Sequence, residues 1–436
     1  MATEKRAGEL ATAGLWMGSG SRNETYETSG IAFAAANAID RGSNSTSAQQ
    51  VNQRIEDMGA RGWHTHEREF TTHGLTSFKG DLAKNVALLG DLICNAAFNP
   101  EEFQLVKEAI DNLHENSTEN QKKVLMENVH FNTYRDHMMG QPIRGDRDNL
   151  RNLTVDQARE FHRNHYYGDN VVLVVVGDVD HAQVVDMAEQ HFSSLPKTAP
   201  VAKTGTELAV YNPGLLMIRD DEMYNANTGV FYDAPGIKHP DYYSFLLLEH
   251  IFGSYRIDKN AEHLNDVEKQ YNSMQALIGN LPDVTMQDAH YLPYSDSGIF
   301  GNYFFGNEIF VRQMNYCGVH MPTIFAHYTT DVEIYRGRNH LYNSLMNEKC
   351  HRDTINEIGQ QLTHLGRRVP RSEVAKKVAH IDSTHIRHLA NHWFYDAEPS
   401  FTNWGPIELV SSVGSYKYFK VNTMSTVINS HHSLYN

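Results

Sequence analysis

Cysteine is scarce in this chain: Cys94, Cys317 and Cys350 are the only three in 436 residues. They are too few and too scattered for a disulfide framework or a Cys-based zinc site. Basic residues are outnumbered, 38 Lys and Arg against 53 Asp and Glu, which leaves a net charge of −15. With no dense basic run to offset phosphate repulsion, nucleic acid is excluded as a general partner. Long apolar runs are missing too. The longest is Val171–Val176, far short of the ~20 residues of a membrane helix. There is no Walker A loop, no G-x-G-x-x-G after a strand, no G-x-S-x-G elbow, no C-x-x-C and no H-E-x-x-H. Met1–Leu10 mixes Glu4 and Glu9 with Lys5 and Arg6, unlike a signal or transit peptide. The chain is therefore expected to be cytosolic or to begin after a processed targeting segment. The sequons at Asn23, Asn44, Asn116 and Asn152 carry no weight without a secretory signal.

What is present is a globular composition, 40% hydrophobic and 21% charged, at a length suited to two or three domains. Val51, Ile55 and Met58 recur at helical spacing, as do Leu82, Val86, Leu89 and Ile93. Asn99-Pro100 opens a long, mostly polar helical stretch to about Tyr134, and Thr154–Gln157 forms a capping box for a helix to about Tyr166. Val171–Val176 reads as a strand buried on both faces, followed by a helix over about Asp180–Phe192. The fold class is thus mixed α/β. A first domain spans 1–194, a linker rich in Pro, Thr, Lys and Ala spans 195–206, and a second domain spans 207–436. In that second part strands are expected near 208–218, 227–233 and 284–306, with helices at about Pro240–Phe252 and from 307 to 396. Asn164–Asp169 (NHYYGD) has a counterpart in Asn391–Asp396 (NHWFYD), 227 residues later. Each closes a predicted helix before a predicted strand, which points to two homologous domains.

Twenty-five histidines invite a metal reading. His64 and His66, two apart on a predicted strand, share a face, with His73 nearby; a carboxylate joining them would complete a ligand set. The plainer reading is a solvated strand face beside Glu67 and Glu69. His162 and His165 read as surface or packed residues of the capped helix, and His431-His432 as a polar tail.

Ordered matches run along the whole chain: Gly14–Glu24, Ser29–Ala32, Ile55–Ala60, Arg68-Glu69, Asn152–Thr154, His165-Tyr166, Ile218–Met223, Tyr294–Gly298, Gly366–Pro370 and Gly405–Glu408. In these the sequence resembles the family of mitochondrial processing peptidases and the core proteins of respiratory complex III. The resemblance implies two similar α/β domains joined by a linker, forming a hollow clamshell with a partner of the same family. Family chains carry a first strand before the one ending in Trp16, and only about ten residues are present for it here. The expectation is an incomplete start or a trimmed edge strand.

Active members of that family hold zinc on an H-x-x-E-H helix, with a distal Glu ligand further along and the motif Glu as general base. Laid on this sequence, the ligand and base positions become Phe33, Ala36 and Asn37, and the distal one becomes Leu113, with Glu115 turned to another helix face. Phe33 and Leu113 are expected to fill the zinc pocket with hydrocarbon. No catalytic residue, metal ligand or cofactor is therefore expected. Leu246–His250 (LLLEH) is a partial echo of the motif, read as the equivalent core helix of the repeat.

Gly253–Asn260 holds a single glycine, unlike the glycine-rich loop of the α-type processing subunit. The matches instead look like the core protein I branch. That resemblance implies a non-catalytic structural subunit on the matrix side of the mitochondrial inner membrane, within dimeric complex III. Its partners there are core protein II, cytochrome b, the c-type cytochrome and the iron–sulfur protein. The alternatives are a non-catalytic subunit of the processing peptidase, or a zinc peptidase drawing ligands from His64, His66 and Glu115.

Overall fold

The computed structural model describes residues 1–115, 120–201, 205–256, 278, 281, 283–347 and 349–407. Its strands are β1 (Ala2–Lys5), β2 (Leu10–Met17), β3 (Arg61–His66), β4 (Thr71–Phe78), β5 (Val171–Gly177), β6 (Leu215–Arg219), β7 (Ala226–Ala234), β8 (Ser254–Arg256), β9 (Val284–Pro293), β10 (Gly298–Gly306) and β11 (Ser400–Gly405). Its helices begin with α1 (Ile31–Ile39), α2 (Ala48–Asp57), α3 (Leu82–Cys94), α4 (Pro100–Glu115), α5 (Gln121–Thr133), α6 (Arg147–Asn152), α7 (Val155–His165) and α8 (His181–Phe192). They continue with α9 (Tyr242–Phe252), α10 (Val311–Tyr328), α11 (Asp331–Met346), α12 (His351–Leu365), α13 (Arg371–Ala379) and α14 (Ser383–Ala390).

Two compact units form. The first comprises Met1–Glu119, Asp136–Glu207 and Glu348–Val369; the second comprises Asn120–Arg135, Leu208–Asn347 and the chain from Pro370 onward. Each unit thus takes one helix from the other half of the sequence, α12 in the first and α5 in the second.

In the first unit the sheet order is β1-β5-β2-β4-β3, with β1 parallel to β5 and the other pairs antiparallel. The central strand β2 is buried on both faces, and its alternation explains why. Ala11, Ala13, Leu15 and Met17 join the core with α1, α3 and α7. Thr12, Gly14 and Trp16 face α12: Thr12 bonds to the His351 ring at 2.8 Å, and the Trp16 ring lies against Gly359. A Cβ on Gly14 would stand 2.7 Å from the Ile355 side chain, and one on Gly359 2.3 Å from Trp16. Small residues on both sides let this helix lie directly on the sheet. Val174 and Val176 pack on Ile355 and Ile358, while Leu173 and Val175 face the other layer.

In the second unit the order is β6-β11-β7-β10-β9-β8, with β6 parallel to β11. One face receives α5, where Gly229 admits Val129 and Leu125. On the other, Gly318 brings α10 against Val230, and α9 contributes Phe245 and Phe252 to an aromatic cluster with Tyr291, Phe300 and Phe394. The five strands of the first sheet correspond in order to β6, β11, β7, β10 and β9 of the second, with β8 additional: a parallel edge strand, the strand after the NHYYGD or NHWFYD segment, and a central strand leading to α1 or α9. The repeat suggested by twelve residues is a repeat of whole topology.

Several expectations need correction. The helical stretch expected from Asn99-Pro100 comprises α4 and α5, which belong to different units, not to one first domain. The strand expected over 208–218 begins only at Leu215. The edge strand expected to be incomplete or trimmed is the four-residue β1, in register with Val174–Gly177 of β5.

Candidate functional site

Helix α1 is the segment on which the resemblance lays the zinc motif, and its placement is built into the chain. Gly30 caps it in the left-handed region (φ 94°), where a Cβ would press on Arg144 O at 2.8 Å. The buried Glu24 carboxylate accepts the backbone N–H groups of Gly30 and Ala32, each at 2.8 Å. Burial pushes its carboxyl up to about 8 while the two N–H bonds pull it back. Acceptance on both oxygens favours the ionised form.

Within α1, Ala36 is fully buried and Asn37 is half-buried, its Nδ2 donating to Phe33 O at 2.8 Å. Phe33 packs edge-on against the His66 and His64 rings, with centroids at 5.5 and 6.5 Å. No His, Cys, Asp or Glu stands in Ile31–Ile39. A hydrocarbon ring, a methyl and an amide already bonded to its own helix do not fit zinc. Leu113, at the C-terminal end of α4, is 43% exposed, with its backbone carbonyl taking Arg144 Nη1. It is not the buried hydrocarbon wall expected there. The side chain of Glu115 lies outside the described residues, as do His431-His432 and the stretch 257–260 of the loop compared with a glycine-rich one.

The histidines are where the structure departs most from the sequence reading. His64 and His66 do share a face of β3, but it is the face turned to α1, not a solvated one. His64 lies directly opposite His73 on β4. Asp40, at the C-terminus of α1, accepts Nδ1–H of His64 on one oxygen (3.1 Å) and of His73 on the other (3.0 Å). A carboxylate therefore does join two imidazoles, and it is His73 that partners His64. Asp40 is held well below the usual carboxylate range: burial pushes it up, but the His73 charge and the bonds from both rings prevail. His64 is raised, chiefly by its bond to Asp40.

His66 stands apart from that pair. Thr71 Oγ1 spends its hydrogen on Ser19 O (3.0 Å), so His66 Nδ1 must be the donor in its 2.7 Å bond to Thr71. Its Nε2 is buried without a partner among the described residues. Burial, then the charges of His64 and His73, push His66 down to about 3. Among the described residues, no three His, Cys, Asp or Glu side chains are arranged to hold a metal. On α7, His162 bonds to Ile93 O at 2.8 Å and packs at a tilt against Tyr166, and His165 bonds to Phe161 O. Both are packed residues.

The echo motif lies on α9. Glu249 accepts Tyr291 N at 3.1 Å and is pushed up to about 7 by burial, while His250 turns its Nδ1 back to Leu246 O. In the first unit Arg22 and Glu69 form a buried ion pair at 2.7 Å, and Arg22 Nε also holds Gly205 O. Sequence reasoning quoted Glu24 only as part of a motif, read Glu69 as beside a solvated face, and missed Asp40 altogether.

Comparison with known proteins fits this geometry. The family profile described as Insulinase (Peptidase family M16) matches residues 1–147, and Peptidase M16 inactive domain matches 152–308. The chain belongs to the M16 peptidase family. It is 25% identical over 420 residues to the cytochrome b-c1 complex subunit 1 of Bos taurus, covering 94% of this chain and 84% of that one. It is 27% identical over 409 residues to the mitochondrial-processing peptidase subunit beta of Neurospora crassa, covering 92% and 84%. A chain of the structure titled Complex III2 from Candida albicans, Inz-5 bound, superposes with a TM-score of 0.83 at 16% identity, over 96% of this chain and 97% of that one. That last likeness speaks for the fold alone. No helix among the described residues is long and apolar enough to cross a membrane.

Proposed function

We propose that this M16 chain is a non-catalytic structural subunit of mitochondrial complex III, of the core protein I type. On this reading it lies on the matrix side of the inner membrane and pairs with core protein II. It supports cytochrome b, the c-type cytochrome and the iron–sulfur protein, which carry the redox centres. The observation that carries the proposal is α1: a properly capped helix in the family's zinc-helix position that offers Phe33, Ala36 and Asn37 in place of ligands and base. The mitochondrial relatives direct it to complex III. Contact with the membrane part then runs through protein surfaces, of the 2,000 Å² or more common in permanent assemblies.

The test is fractionation. The chain is expected in detergent extracts of mitochondrial membranes, migrating with b- and c-type haem absorbance and resisting salt washes. A second reading, a non-catalytic partner in a soluble processing peptidase, is favoured by the 27% identity to a beta subunit. It requires a haem-free species of roughly twice the 49.5 kDa of this chain in the matrix fraction. Finding most of the chain there would overturn the complex III assignment.

A further inference from the structure

Beneath α10, the sheet of the second unit presents an unusual set of side chains to the helices. Thr228 (β7), Gln287 (β9), Asn302 (β10), Asn315 (α10) and Asn403 (β11) are all fully buried. They are contiguous. Thr228 and Asn403 are directly opposite in the β7–β11 pairing, and Asn302 is two residues from the Phe304 that faces Thr228. Asn315 Nδ2 donates to Asn403 Oδ1 at 3.0 Å, and Gln287 Nε2 donates to Asn302 Oδ1 at 2.8 Å and to Gly253 O at 3.3 Å.

These bonds use only part of what the groups offer. Thr228 Oγ1, Gln287 Oε1, Asn302 Nδ2, Asn315 Oδ1 and Asn403 Nδ2 are buried with no partner among the described residues. Reversing both amides of either bonded pair leaves the same count unmatched, so the result does not depend on which amide atom is nitrogen. Five dry, unmatched atoms would cost on the scale of a whole domain's stability. The set mixes donors (Asn302, Asn403), acceptors (Gln287, Asn315) and a hydroxyl that is both. No carboxylate or imidazole is among them, which disfavours a metal ion.

We propose that these five side chains form a binding site for a small cluster of ordered water molecules, a permanent part of the second unit's core. A water accepting from Asn403 Nδ2 can donate to Thr228 Oγ1, directly opposite it, and others can join Asn302 Nδ2 to Gln287 Oε1 and to the Thr228 hydroxyl. The cluster then ties α10 to four strands. Its directional bonds fix the helix in register, beside the close approach of Gly318 to Val230, where an apolar layer would let it slide.

Thr228→Val is the discriminating variant, because it keeps the shape and removes only the hydroxyl. If Thr228 holds a shared water, the full chain carrying this change should melt lower by roughly 2–4 °C. A crystal structure of the unaltered protein should then show water within hydrogen-bond reach of Asn302 Nδ2 and Asn403 Nδ2. If the hydroxyl is merely unmatched in a dry core, its removal leaves the melting temperature unchanged or raises it. Either that result or a dry cluster in the density overturns the proposal.

Discussion

Acid should weaken the first unit through His66, and the size of the effect follows from its surroundings. His66 is buried against Phe33, donates through Nδ1 to Thr71 and is pushed down to about 3 from an ordinary 6.5. The unfolded chain takes up a proton below 6.5 that the fold refuses, so the stability held above that pH is lost as the pH falls through it. The cost is set by the unfolded side: about 1.4 kcal/mol at about pH 5.5 and about 2.7 kcal/mol at about pH 4.5. His162, pushed down to about 4, adds in the same direction. His64 works the other way, since its raised value stabilises the fold most below 6.5 and fades as the pH rises through its folded value. A whole-protein profile would blur these contributions. The informative quantity is the difference between the native chain and His66→Asn, whose amide can still reach Thr71. At about pH 7.5 the variant should be less stable by roughly 1–2 kcal/mol for lost packing. By about pH 5.5 that gap should shrink by about 1.4 kcal/mol. Urea unfolding followed by tryptophan fluorescence at the two pH values measures it. A gap that stays constant, or widens in acid, would refute the reasoning.

Three further outcomes are expected. Glu249→Gln keeps an acceptor for Tyr291 N but removes a charge whose carboxyl is pushed up to about 7 by burial; it should raise the melting temperature at about pH 8, by roughly 1–3 kcal/mol of stability, with the advantage vanishing towards about pH 4.5. Gly359→Ala drives a Cβ into the Trp16 ring and should cost roughly 1–3 kcal/mol in denaturant unfolding; no loss would mean that α12 does not lie on β2 as described. Phe33→His, Ala36→Glu and Asn37→His together should yield no presequence cleavage, because no carboxylate stands at Leu113 to complete the zinc set; chelator-sensitive cleavage by this triple variant would sink the proposal of a lost site.

Much of the fold was legible because burial writes itself into pattern. Val171–Val176, β-branched and closed by Gly177, reads as a strand covered on both faces, and β5 is that strand, between β1 and β2. The Thr154–Gln157 capping box begins α7 where its sequence says. The two NHYYGD-like segments precede equivalent strands. What escaped was the ownership of helices. The largely polar sequence of α5 shows neither that Leu125, Val129, His130, Asn132 and Thr133 are buried nor which sheet buries them. Gly229, whose missing side chain admits Val129 and Leu125 of α5, lies about a hundred residues away in the sequence. Likewise Gly14 and Gly359 are close-approach positions only once Ile355 and Trp16 are known to be their neighbours.

The site was legible in what α1 lacks and illegible in what surrounds it. Identity alone gives Phe33, Ala36 and Asn37, and no fold is needed to see that these do not hold zinc. Whether two histidines on a strand face solvent or core depends on register, and β3 pairs so that His64 meets His73 while His66 meets Thr71. Asp40 carried no signal, being one acidic residue after an alanine-rich helix. Yet it fixes the C-terminus of α1 to two strands, as Glu24 fixes the N-terminus from within the core. A helix held by acidic side chains at both ends, with a phenyl ring packed against two histidines, is stabilised for packing. A vestigial active site under no such demand would be expected to lose its capping groups as readily as its ligands. On the proposed reading, the selected property of α1 is therefore the rigid shape it gives the first unit.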